Sequence, residues 1–305
     1  MKYIQICNTD LKASRIALGC MRLHTLNPSQ ADTLIQTAVE LGINFFDHAD
    51  IYGGGKSEEI FSKILKDHPG FREKMILQSK CGITQGYYDF SKEHILSSVD
   101  GILKRLGTDY LDVLLLHRPD LLMEPEEVSF AFDKLKSSGK VRYFGVSNQN
   151  PSTIRLLSRY LNQNLVINQV QFGLAHTAML DTTVNTNMQN IGAVNRDGGI
   201  LEYCRLHDMT VQAWSPFQYG LFEGNYLKEE KYAPLQQQMK QLADAKGVRE
   251  NAIGIAWILR HPAHIQAIAG TMDPEHLKQM SKAADVSLSR AEWYSLYKAA
   301  GNQLP

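Results

Sequence analysis

Four polar residues, set at the ends of short apolar runs, carry the chemistry of this chain. Asp47 follows Ile43-Asn44-Phe45-Phe46, Tyr52 stands just beyond it, Lys80 follows Met75-Ile76-Leu77-Gln78-Ser79, and His117 follows Val113-Leu114-Leu115-Leu116. Polar groups that cap consecutive buried strands converge at one end of a parallel barrel, where side chains distant in sequence meet. A carboxylate, a phenol, an ammonium and an imidazole gathered there form a proton-donating site. Each alone has a plainer explanation: an ion pair for Asp47 or Lys80, a satisfied imidazole for His117, packing for Tyr52. Their joint order along the chain favours catalysis.

The elements that must position them alternate. Short β-like runs fall near Ile16–Leu18, Phe45–Asp47, Met75–Ser79, Val113–Leu116, Tyr143–Val146, Val166–Gln171, Thr210–Trp214 and Ile265–Ala269. Several are unbroken apolar stretches, as expected of parallel strands buried on both faces. Between them lie amphipathic helices: Asn27-Pro28 starts one, with Ala31, Leu34, Ile35, Ala38 and Leu41 as its stripe and Gly42 beyond. Ile95, Val99, Ile102, Leu103 and Leu106 mark another, and Asp273-Pro274 opens a third. The reading is one α/β domain over residues 1–305, a (β/α)8 TIM barrel. A doubly wound open sheet is the competitor, but the turn after the first strand, Gly19-Cys20-Met21-Arg22, lacks that fold's glycine fingerprint.

Three stretches depart from the alternation. Residues 2–12 are expected to form a β-hairpin plugging the barrel's N-terminal mouth. The polar, aperiodic stretch 173–199 is expected over the catalytic face as a lid, a binding loop or a partly disordered segment. Residues 218–233 read as a shorter stretch of the same kind.

The bulk numbers exclude several classes. Of 305 residues, 44% are hydrophobic and 21% charged, with 32 basic and 32 acidic. No net field draws the chain to nucleic acid or an anionic membrane. The four cysteines form no C-x-x-C pair and read as reduced thiols, the N-terminus has no signal-peptide core, and no apolar run spans a membrane. A cytoplasmic monomer is the expectation. The ten histidines show no metal-ligand spacing.

Four motifs add a resemblance. Phe46-Asp47-His48-Ala49-Asp50-Ile51-Tyr52-Gly53, Leu77-Gln78-Ser79-Lys80, the segment Leu106 to Pro119, and Gly139-Lys140-Val141-Arg142-Tyr143-Phe144-Gly145-Val146-Ser147-Asn148 stand in order. Together they resemble signatures of the aldo-keto reductases, in a bacterial oxidoreductase-like branch, and the likeness spans essentially the whole chain. The resemblance implies a (β/α)8 fold and carbonyl reduction with a nicotinamide cofactor. Such a reaction needs a hydride at carbon and a proton at oxygen. A free phenol near pKa 10 is a weak donor at neutral pH, so Tyr52 is assigned the proton with Lys80 lowering its pKa. Asp47 is expected to hold Lys80 charged, and a neutral His117 to bond the carbonyl oxygen. His48 and Asp50 are read as locally hydrogen-bonded or exposed.

By the same resemblance Trp214 stacks on the nicotinamide, and Ser147, Asn148 and Gln169 bond its carboxamide. Gly19 and Met21 border the cofactor, Ser215, Phe217 and Leu221 meet its pyrophosphate, and Thr271 and His276 lie at the 2′-phosphate. There Gly270 and His276 replace the family's common basic residues, which weakens the electrostatic case for a phosphate. NADP(H) is the first expectation, with NAD(H) the alternative. Met21 also flanks the substrate pocket, whose other walls are assigned to Arg22, Ile51, Phe172 and Tyr219, a largely apolar set suited to aldehydes, ketones or quinones. Arg118 is expected to pair with Asp120 rather than attract an anion. Two other functions compete. Lys80 as a Schiff-base nucleophile is disfavoured because Asp47 would raise its pKa. A cofactor-binding redox-sensing or regulatory subunit with little turnover conflicts with the intact tetrad.

Overall fold

Eight parallel strands close into a barrel, and their bounds lie within two residues of those read from the apolar runs. The computed structural model describes residues 1–304. After a hairpin, β1 (Tyr3–Gln5) and β2 (Lys12–Ser14), come β3 (Ile16–Gly19), β4 (Phe45–Asp47), β5 (Ile76–Cys81), β6 (Leu111–Leu116), β7 (Val141–Ser147), β8 (Leu165–Gln171) and β9 (Thr210–Trp214). A small hairpin follows, β10 (Gln218–Tyr219) and β11 (Gly224–Asn225), and β12 (Gln266–Ala269) closes the barrel between β9 and β3.

The helices form the outer layer: α1 (Pro28–Glu40), α2 (Lys56–Asp67), α3 (Lys92–Leu106), α4 (Pro125–Ser137), α5 (Pro151–Tyr160), α6 (Ala178–Val184), α7 (Ile200–Leu206), α8 (Ala233–Lys246), α9 (Glu250–Leu259), α10 (Pro274–Ser281) and α11 (Arg290–Ala299). Asn27 caps α1 through a reciprocal capping box with Gln30, and Asp273 accepts from the backbone of Glu275 and His276 at the start of α10. The stripe read for α1 is buried at Ala31, Leu34, Ile35 and Ala38.

The N-terminal hairpin closes the barrel floor. Its Ile6, Leu11 and Ala13 pack into one buried cluster with Phe45, Ile76, Val113, Leu115, Val166, Ile167 and Ile268, which fill the lower barrel.

The 173–199 stretch is folded, and none of its residues lines the cavity at the barrel mouth. It contains α6 and a turn of 3-10 helix at Ile191–Ala193. Met179 and Leu180 are buried, and Asp181 accepts from the Tyr297 hydroxyl at 2.7 Å, which ties the stretch to α11. Its asparagines bond within the segment: Asn190 Nδ2 donates to Asn185 Oδ1 at 2.7 Å, and Asn195 Oδ1 accepts from Gly198 N at 2.7 Å. Polarity here serves local turns.

Candidate active site

Parallel pairing sets Asp47 beside Gln78 and one residue pair short of Lys80, so the β4 and β5 ends meet at the barrel mouth. Tyr52 lies in the following turn. Gly53, Gly54 and Gly55 then take φ +60°, +65° and +90°, and a Cβ on Gly53 would come within 2.5 Å of the His24 ring. That left-handed run turns the chain into α2 and aims the phenol back at the barrel.

Lys80 Nζ donates to Asp47 Oδ1 at 2.7 Å, to the His48 carbonyl at 2.8 Å and to the Tyr52 hydroxyl at 3.0 Å. All three ammonium protons are therefore used. A phenol oxygen that accepts from Lys80 keeps its own proton for the cavity. The His117 ring stands edge-on to Tyr52, with centroids 6.1 Å apart.

Burial and charge divide the roles. Burial works to lower the Lys80 ammonium, but Asp47 and Tyr52 outweigh it and hold Lys80 above its usual pKa. Burial raises Tyr52 above its ordinary value, and the pull of Lys80 only partly offsets this. The phenol is thus fully protonated at neutral pH and is not acidified, contrary to the expectation from Lys80 alone. Burial, with Lys80 and Arg118 adding to it, holds His117 well below its usual range, so its imidazole is neutral.

His48 is neither exposed nor locally hydrogen-bonded, whereas Asp50 is half-buried, with the Ile51 backbone as a local partner and Oδ1 left without one. His48 is fully buried, with no protein partner for either ring nitrogen, and burial and then Lys80 depress it to about 3. Asp50 is pushed up to about 7 by burial and by neighbouring Glu58. Glu58, also fully buried, accepts from Arg105 Nε and Ser79 Oγ, each at 2.7 Å.

Beneath the tetrad a layer of glutamines crosses the barrel. Gln78 Nε2 donates to Asp47 Oδ1 at 2.6 Å and to Gln212 Oε1 at 2.9 Å. Gln169 Nε2 donates to the same two groups at 3.1 and 2.9 Å, and Gln212 Nε2 passes to Gln266 Oε1 at 2.7 Å. Asp47 is thereby fixed by two amides as well as by Lys80.

The tetrad opens onto a cavity of about 1540 Å³. Asp47, Tyr52 and His117 line it, with Gly19, Met21, Arg22, Ile51, Ser147, Asn148, Gln169, Trp214, Ser215, Phe217, Thr271 and His276. Asn148, at φ +56°, bonds Ser147 Oγ through Nδ2 at 2.8 Å and accepts from Trp214 Nε1 at 3.2 Å. Trp214 also stacks on Phe222, centroids 5.7 Å apart.

A family model described as the Aldo/keto reductase family matches residues 15–300. The chain belongs to the aldo-keto reductases. It is 37% identical to the uncharacterized oxidoreductase YcsN of Bacillus subtilis, with both chains covered completely. It is 35% identical to a 6-dehydroglucose reductase of Agrobacterium fabrum, over 95% of each chain. In structure it is similar to a thermostable aldo-keto reductase crystallised with the inhibitor epalrestat, with a TM-score of 0.79, 26% identity, and 98% and 100% of the two chains covered.

Three residues assigned to the cofactor site or substrate pocket of this aldo-keto reductase fall outside the cavity, besides Lys80, which is buried behind Tyr52. Phe172 is fully buried against Trp257, centroids 5.3 Å apart. It has the opposite strand parity to Gln169, so it faces the helices and not the barrel. Tyr219 packs on Tyr232 at 5.4 Å, with Lys231 over its ring; its neighbours across the pleat, Gln218 and Asn225, line the cavity instead. Leu221 is 64% exposed at the tip of the β10–β11 hairpin. It is therefore the 218–233 stretch, through Gln218, Phe222, Asn225, Leu227 and Lys228, that borders the cavity, whereas no residue of 173–199 does.

Arg118 does not pair with Asp120. The Asp120 carboxylate accepts from the backbone of Phe90 and Leu122, each at 2.9 Å, and Arg118 turns into the cavity with its guanidinium 5.7 Å from the Trp214 ring centre. Sequence reasoning also missed Gln236, Lys240, Arg249, Asn251 and Gln279 on the cavity wall. They sit on or beside α8, α9 and α10 as ordinary polar positions of amphipathic helices, and nothing in their spacing marks them.

Proposed function

We propose that this aldo-keto reductase reduces an aldehyde or ketone to the alcohol, with hydride from a nicotinamide cofactor and a proton from Tyr52. The observation that carries the reading is the 3.0 Å contact between Lys80 Nζ and the Tyr52 hydroxyl, locked by Asp47 at 2.7 Å and open to a cavity large enough for cofactor and substrate. When bound, the dihydronicotinamide supplies the hydride to the carbonyl carbon.

The residues divide the remaining work. Neutral His117 donates a hydrogen bond to the carbonyl oxygen and orients it. As that oxygen gains charge it approaches the basicity of hydroxide, whose conjugate acid has pKa about 15.7. Even a phenol raised above its ordinary value is then a favourable donor, and Lys80 stabilises the phenolate left behind. Lys80 is held charged with every proton bonded, which disfavours a Schiff-base role.

The cavity residues suit the cofactor. Ser147, Asn148 and Gln169 offer both donors and acceptors to a carboxamide, and Trp214 offers an aromatic face. Gln169 commits its amide nitrogen to Asp47 and Gln212, so its carbonyl is the group left for the cofactor. At the far end Arg249 and Lys240 line the wall near Thr271 and His276 and supply the positive charge that Gly270 and His276 do not. Against them stand Glu250, which lines the same cavity, and the Asp273 carboxylate, which already caps α10. NADPH is preferred over NADH by a small factor on this balance.

The test is cofactor consumption by the purified protein with 4-nitrobenzaldehyde, 9,10-phenanthrenequinone and 6-dehydroglucose, the last because of the relative of that name. Steady oxidation of NADPH with matching alcohol formed supports a reductase. Tight cofactor binding with turnover no faster than in the absence of enzyme would favour a sensor instead.

A further inference from the structure

Arg118 is a cation in the catalytic cavity without a counter-ion. It follows His117 directly in the chain, and its guanidinium lies 5.7 Å from the centre of the Trp214 ring. No carboxylate pairs with it among the described residues, and the nearest in sequence, Asp120, is committed to two backbone amides. The half-buried side chain loses part of its hydration, and a fork of donors left open in a partly dry site is an anion receptor awaiting its anion.

The surroundings favour the same ligand. Two carboxylates line the cavity: Asp47, which is neutralised by Lys80 at 2.7 Å, and Glu250 at the start of α9, next in the chain to Arg249. Ile51, Ile83 and Phe222 are among the apolar residues that line the cavity. Of the other two guanidiniums that line the cavity, Arg22 donates to the Gly270 carbonyl at 2.5 Å, and Arg249 belongs to the cofactor end proposed above. One free guanidinium matches one carboxylate, charge for charge and through two parallel hydrogen bonds. A phosphomonoester near −2 would need a second cation.

We propose that Arg118 is a specificity residue that binds a carboxylate on the carbonyl substrate, so that the favoured substrates are oxo acids or semialdehyde acids. Their carbonyl sits at Tyr52 and His117 while the acid group reaches the next residue in the chain. The inference rests on the carbonyl reductase reading above and narrows it to a substrate class.

The experiment compares 3- and 4-carboxybenzaldehyde with their methyl esters at saturating cofactor, in wild type, Arg118→Leu and Arg118→Lys. Each pair shares a ring and a reacting aldehyde, so the acid-to-ester ratio of kcat/KM isolates the charge. The expected result is a ratio above one for at least one isomer, set mainly by KM. It falls about tenfold or more in Arg118→Leu and recovers in part in Arg118→Lys. A ratio at or below one for both isomers in wild type overturns the proposal. So does a ratio that survives Arg118→Leu, even if both rates drop, since that pattern belongs to a structural or cofactor role. Turnover of the esters separates the two claims: if wild type reduces neither acid nor ester, the reductase reading itself has failed.

Discussion

Gln78 and Gln212 reach from opposite sides of the barrel and meet at its centre, the amide of one donating to the carbonyl of the other at 2.9 Å. Through Gln78 the contact continues to Asp47 Oδ1, so the carboxylate that holds Lys80 is anchored to the far wall. Gln212→Leu removes the shared acceptor of Gln78 and Gln169 and strands Gln266 Oε1. We expect a loss of about 2–4 kcal/mol in urea unfolding, together with a lower kcat. An unchanged unfolding midpoint would mean that the layer fills space and nothing more.

Tyr52→Phe keeps the ring and deletes the donor. Carbonyl reduction should fall about 10²–10⁴-fold while the cofactor dissociation constant stays within about twofold. The pH profile follows from the raised phenol. The donor must be protonated, so its contribution persists through neutrality and is lost only as pH climbs past the ordinary tyrosine range. A reductase limb that already declines between pH 7 and 8 would contradict this assignment.

His48 makes the fold acid-sensitive. Its folded pKa of about 3 lies below the ordinary 6.5, so the unfolded chain binds the proton first. Stability is complete above pH 6.5 and drains as pH falls towards 3, by about 2 kcal/mol at pH 5. His48→Leu removes that titration and buries no unpartnered nitrogen. Thermal melts at pH 7 and pH 5 should show the variant losing less than wild type between the two. Parallel losses would show that other groups, such as His117, dominate the acid limb.

Arg249→Ala tests the cofactor end. The dissociation constant for NADPH should rise about tenfold and that for NADH by less than about twofold, because only the former carries the extra phosphate. Quenching of tryptophan emission reads both, since Trp214 lines the cavity while Trp257 and Trp293 stack on each other at 4.7 Å. Equal weakening of the two cofactors would assign Arg249 to the shared adenosine or pyrophosphate.

The barrel is legible because most strands carry an apolar run, with Asp47, Lys80 and His117 at the exits of β4, β5 and β6, and Phe45–Asp47 and Thr210–Trp214 agree to the residue. The tetrad was readable for the same reason. What escaped was orientation. Phe172 and Tyr219 have the right chemistry for a pocket wall and the wrong parity, a distinction available from counting back to Gln169 and across from Gln218. Gln78, Gln212 and Gln266 were visible as amides in the middle of apolar strands, two positions before Lys80, Trp214 and Ile268, and so on the same inward face. A buried amide needs partners, and only the closed barrel shows that they are one another. The pairing of Arg118 with Asp120 failed because the carboxylate was taken by loop backbone, a competition that sequence spacing does not display. The 173–199 asparagines bond within local turns, so their polarity does not by itself mark the lid, binding loop or partly disordered segment expected there.

The hairpin that stoppers the barrel with Ile6, Leu11 and Ala13 leaves the cavity to open at the other end of the molecule. The cavity and the tetrad lie on the face opposite Asn8. A bead or electrode coupled at that exposed turn would hold the enzyme upright, with its entrance facing the solution.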